Sequence, residues 1–173
     1  MIAAAADPTT SAAADRPTSP DRTYRLTTAE RLLIAAGIVG VAHHVDHVLR
    51  VDHSGWPFIA QVTPFTASLL VYPIVLAIFL LRGRPWLRVG LAALLFVAVQ
   101  SAHIFMETPD NQYHSWAAGV SNSRGRVGVA NLLHIHSTAL GIGAAALSIL
   151  LSVMLIAVVV AFLREALAAR RRA

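Results

Sequence analysis

The chain has no cysteine, which excludes disulfides, thiolate ligands, iron–sulfur clusters and covalently attached haem. It has no lysine either; all 14 basic residues are arginine. Charged side chains make up only 13% of the 173 residues, and they collect at the ends of long apolar runs. A basic start leading directly into an apolar core and a cleavage site is missing, so no signal peptide is expected. No serine stands in a nucleophile motif, and the absence of cysteine removes a thiol mechanism.

What remains is apolar. Hydrophobic residues reach 56%, and the mean hydropathy is +0.62, which places the chain in the membrane class. A net charge of +5 and a pI near 11.0 do not indicate nucleic acid, because the arginines flank apolar segments as they do in membrane proteins. The expected fold is all-α, an integral membrane four-helix bundle in one domain. Residues 1–25, rich in Ala, Thr, Pro and Asp, read as a disordered cytoplasmic tail. Residues 26–166 carry four spans, at about 29–50, 65–81, 86–107 and 130–163, and 167–173 form a basic tail. Thr27 and Glu30 form a capping box for the first span, and Pro73 is expected to kink the second. Between the third and fourth spans, a polar loop is expected from Pro109 to about Val127. Ala36 with Gly40, and Gly141 with Ala145, are small pairs that allow close helix approach.

Arginine placement predicts the orientation. Eleven arginines precede the first span, join the second to the third, or follow the fourth; only Arg50, Arg124 and Arg126 lie on the other side. Both termini are therefore expected in the cytoplasm of a multi-pass cell-membrane protein. All eight histidines then fall near the outer face: His43, His44, His47, His53, His103, His114, His134 and His136. Asp46, Asp52, Glu107 and Asp110 accompany them. Ionisable groups at one membrane depth are costly and mark a site. Imidazole with carboxylate is also a ligand set for zinc, iron and copper.

Helical geometry sorts these residues. At about 100° per residue, His47 lies about 40° from His43, Arg50 about −20° and Asp46 about −60°, while His44 is about 100° away. His43 and His47 can therefore bind one ion from one face. Asp46 can orient an imidazole or act as a base, and Arg50 can hold an anion or headgroup. His103 and Glu107 form a second i,i+4 pair, with Glu107 a ligand or a general base. His134 and His136 point about 200° apart in a helix, so only one would face the site. His134, on one helical face with Asn131 and Thr138, is the favoured inward ligand, and His136 is a ligand or a structural hydrogen-bonding residue. His44 is a further candidate ligand. His114 and His53 are loop residues, and His114 is a candidate substrate contact. Trp56 and Trp116 read as interfacial belt residues.

Three chemistries use such a centre. The favoured one is a metal-dependent oxidoreductase acting on a lipid-soluble substrate or quinol, with iron or copper as the transition metal. A zinc hydrolase is the second, with Glu107 or Asp46 as base. A b-type haem electron-transfer protein or accessory subunit is the third. His-x-x-His-His boxes, as in the histidine-rich membrane hydroxylases and desaturases, are absent. A conducting path is not expected, because the cytoplasmic half offers little polarity beyond Ser148 and Ser152. The partners expected are membrane lipid and that substrate, not nucleic acid.

Overall fold

A computed structural model describes residues 25–51, 64–124 and 126–172. The expected N-terminal tail up to residue 24 lies outside them, as do Asp52, His53 and Trp56. The described chain is helical. It contains no strand among these residues, only an isolated bridge between Val120 and Ala130.

Helix α1 spans Thr28–Arg50 and opens with the capping box that the sequence predicts. Thr27 accepts from the Glu30 amide at 3.2 Å, and Glu30 accepts from the Thr27 amide at 2.9 Å. Helix α4 spans Pro85–Phe105, with proline in its first turn where no amide donor is needed. Helix α6 spans Thr138–Arg170. At 33 residues it is about 50 Å long, well beyond the roughly 30 Å of a bilayer core. These three helices are long and apolar enough to cross a membrane.

The expected second span is instead two pieces, α2 (Pro64–Ser68) and α3 (Val71–Leu80), broken at Leu69 and Leu70. The break falls just before Tyr72-Pro73. Pro73 therefore sits in the first turn of α3, where its missing amide costs nothing, rather than kinking a continuous helix.

Two further boundaries depart from expectation. The fourth helix begins at Thr138, not near 130, and the preceding segment 131–137 is not helical. Ser137 caps it by accepting from the Leu140 amide at 3.3 Å, while His134 takes a left-handed φ of 53°. Its far end runs seven residues past Leu163, because Leu, Glu, Ala and Arg are all good helix formers and Ala166 is buried. The expected 109–127 loop contains a nine-residue helix, α5 (Pro109–Ala117). Thr108 and Asn111 form its capping box.

α6 is the central element and packs against α1, α4 and α5; α3 lies against α4 and α1. Leu33, Ala36, Ala92, Leu95, Leu151, Leu155, Val158 and Phe162 form the shared core. Gly40 of α1 approaches Leu151 of α6, so the Ala36–Gly40 pair does sit at a helix contact. At Gly141 a Cβ would lie 2.6 Å from the Tyr113 carbonyl oxygen, so this glycine admits α5 rather than another span. The outer faces are apolar, with Ile38, Val97, Ile104, Ile142 and Val153 more than half exposed. That inversion of the soluble pattern suits a lipid surround.

Candidate functional site

The end of α1, the end of α4 and the start of α6 meet at one end of the core. His43 and His103 are both buried there, and their Nε2 atoms lie 3.2 Å apart with the rings edge to face. His103 Nδ1 lies 3.3 Å from the Ser148 hydroxyl of α6, which also accepts from Gln112 Nε2 of α5 at 3.3 Å. His43 Nδ1 is buried and has no hydrogen-bond partner.

Glu107 lies just past the end of α4, where its amide still bonds to the Ala102 carbonyl at 3.1 Å. That last turn brings the carboxylate to α1. His47 Nε2 lies 3.0 Å from one oxygen, and the Arg50 guanidinium donates to the other. Burial opposes the charge of Glu107. The hydrogen bond from His47 and the positive charge of Arg50 outweigh it and hold the carboxyl well below the usual range, at about 2. Arg50 is fully buried and also donates to Asp46 at 2.9 Å. Trp116 Nε1 of α5 donates to the other Asp46 oxygen at 2.8 Å. Trp116 is therefore a core residue and not an interfacial belt residue.

His44 faces a third direction. His44 Nδ1 lies 3.0 Å from the Gly40 carbonyl, which can only accept, and 2.9 Å from the Tyr72 hydroxyl. Its Nε2 lies 3.0 Å from Ser68 Oγ, which also donates to the Phe65 carbonyl at 2.7 Å. Phe65 stacks on His47, with ring centroids 5.0 Å apart. The α2–α3 segment thus supplies Ser68, Tyr72 and Phe65 to the site. No candidate site residue is expected on this span from the sequence.

A cavity of about 910 Å³ opens between α1, α3 and α4, with Leu151 and Leu155 of α6 also on its wall. Its lining is aliphatic and aromatic over most of its length and ends in His43, His44, His47, His103 and Glu107. Ile34, Ile38, Leu70, Leu94 and Phe105 line it and are also exposed, so it opens sideways through the lipid-facing surface.

The other expected site residues stand apart. His134 and His136 are exposed on the segment before α6, and His134 is not on a helical face with Asn131 and Thr138. The His136 ring packs on Gly119, where a Cβ would come within 2.6 Å of it. His114 Nδ1 turns to the Val120 carbonyl at 3.0 Å. Asn131 is fully buried and holds the loop together, donating to the Ser115, Gly119 and Ile135 carbonyls and accepting from the Ile135 amide. Among the described residues, no three His, Asp or Glu side chains converge closely enough to hold one metal ion.

A second buried cluster occupies the opposite end of the core. Glu30 is fully buried and accepts from Arg82 Nε at 2.6 Å and from Arg88 at 2.8 Å. Arg88 stands 4.5 Å from the Phe162 ring centroid and 3.9 Å from Glu165. A scan against family models, a search of curated proteins and a search of solved structures each gave no match.

Proposed function

We propose that the chain is a multi-pass cell-membrane protein, a four-helix bundle with both termini in the cytoplasm, that acts as a metal-dependent oxidoreductase on a lipid-soluble substrate. The positive-inside bias of the arginines supports the orientation, because it leaves the histidine end facing outward. The observation that carries the functional reading is the apolar cavity ending at the His43–His103 pair.

Two nitrogens bound to one tetrahedral ion at about 2.0–2.1 Å lie about 3.3 Å apart. The observed 3.2 Å fits two adjacent ligands on one ion. With both Nε2 atoms on the metal, the ring protons would sit on Nδ1; Ser148 Oγ lies 3.3 Å from His103 Nδ1 and 3.5 Å from its Nε2. Water or substrate would fill the remaining positions.

Zinc hydrolysis is less well supported. A general base works best near the operating pH, and Glu107, held at about 2 by His47 and Arg50, is a poor one. An iron or copper ion held by His43 and His103 would supply one-electron redox chemistry for a diphenol-type head. His44 and His47, on the same cavity wall, would take up the phenolic protons, with an external electron carrier as the terminal acceptor.

Metal analysis of the purified full chain tests the reading. Near-stoichiometric iron or copper is expected in the wild type and in His134→Ala, with at least about tenfold less in His43→Ala and His103→Ala. Metal retained in both core variants, or none in the wild type after supplementation, would overturn it.

A further inference from the structure

The cavity itself constrains what enters it. Its lining on α1 runs from Leu33 to His47. Fourteen steps of 1.5 Å make it about 21 Å long, parallel to the helices. Its volume of about 910 Å³ is near the top of the roughly 300–1,000 Å³ usual for ligand sites. Walls of Val71, Val75, Phe79, Leu95 and Val99 give an extended apolar tail its contacts. The sideways opening lets such a tail enter from the bilayer.

The polar end selects the head. Arg50 donates to both Asp46 and Glu107, and although its Nη2 has no partner it is buried and Arg50 is not on the cavity wall, so without a bound ion the fixed charges here sum to one negative and no fixed cation faces an incoming anion. A carboxylate or phosphate head would meet Glu107, whose own charge is already matched by His47 and Arg50. His43, His44, His103 and Tyr72 border this end of the cavity, and His43 Nδ1 is buried with no hydrogen-bond partner. An uncharged oxygen can pair with a neutral imidazole, a hydroxyl with either ring nitrogen and a carbonyl with the one that carries the proton.

The geometry points to an uncharged amphiphile as the ligand: an apolar tail up to about 20 Å long, with a hydroxyl or carbonyl oxygen seated among His43, His44 and His103. Fatty acids and phospholipids are selected against. This inference rests on the substrate reading above for its relevance to turnover, but not on the metal.

Photo-crosslinking separates the two. The full chain in lipid nanodiscs is exposed to two diazirine-bearing C12 probes at equal bilayer concentration, one with a hydroxyl head and one with a carboxylate head. The hydroxyl probe should label the 71–79 and 94–107 segments, with the carboxylate probe at least about tenfold weaker. Gly37 lines the cavity, and a Cβ there meets nothing within 4 Å, so Gly37→Phe should fill the space without a backbone clash and abolish labelling. Ala98→Trp, from the facing helix, is a second filling variant. Equal labelling by the two heads, or undiminished labelling in both filled variants, would overturn the inference. Metal content is measured on the same samples. Selective labelling of metal-free protein leaves this inference standing and removes the metal reading; unselective labelling of metal-loaded protein does the reverse.

Discussion

At one end of the core, Glu30 lies between Arg82 and Arg88, and Arg88 is covered by Phe162; none of the four lines the large cavity. At the other end, His43, His44, His47, His103 and Glu107 all line it; each end keeps buried nitrogen without a partner, Arg88 Nε at the first and His43 Nδ1 and Arg50 Nη2 at the second. Both ends bury ionisable groups, at similar desolvation cost. The first end matches a carboxylate to guanidinium groups away from the cavity. The second matches its carboxylates to Arg50 and leaves imidazole surface facing open space. Burial of charge alone therefore does not distinguish a fastening from a site; access does.

The largest test of that contrast is Glu30→Ala. The substitution strips the buried Arg88 guanidinium of its nearest carboxylate, while Arg82 is one-third exposed and can turn to water, so a loss of about 3 kcal/mol of stability is expected. Denaturant unfolding of the reconstituted protein measures it, and metal per folded molecule should not change. A loss below about 1 kcal/mol, or a parallel loss of metal, would mean the two ends are not separate in role.

The same comparison shows what the sequence makes legible. Local rules sufficed for α1, because Thr27 and Glu30 sit three residues apart in a box that needs nothing else. They also placed His43 and His103 at the same end of the molecule. They could not show that Glu30 serves two ends of one device. It caps its own helix and also binds arginines 52 and 58 residues away, which read in isolation only as orientation markers. Trp116, Tyr72 and Ser148 were missed for a related reason: each acquires its partner through packing between elements, and none lies in a local motif. One error had a readable signal. Thr108-Pro109-Asp110-Asn111 is a cap with proline at the first helical position, and its polarity concealed a helix. Ser137 and Asn131 are equally good N-caps, and the choice between them is settled by packing, since Asn131 is used to hold the loop carbonyls of Ser115 and Ile135.

Acid should distinguish the ends next. Glu107 has a folded-state pKa of about 2 against an ordinary value of 4.5. A depressed carboxylate contributes stability that is complete above the unfolded value and is lost as pH falls through the folded one. The unfolding free energy should therefore fall between about pH 5 and pH 2. Glu107→Gln should be less stable near neutrality and show a shallower fall. An unchanged slope in that variant would show that His47 and Arg50 do not hold the carboxylate as drawn.

The smallest expected effect is the most selective. Ser148 lies behind His103 on α6, where it accepts from Gln112 and touches no other imidazole. Ser148→Ala removes one neutral hydrogen-bond partner, which costs about 1 kcal/mol in stability. If the serine orients His103 for a metal, affinity should fall further than stability does, by roughly 10–100-fold, because a ligand histidine depends on the partner of its other nitrogen. Ser148→Thr, which keeps the hydroxyl, should restore most of that affinity. Competition with a chelator of known strength measures both variants. Equal affinity for wild type and Ser148→Ala would show that the Ser148–His103 contact belongs with the Glu30 cluster as a fastening, and that the boundary between the two kinds of buried polar group lies between His103 and α6.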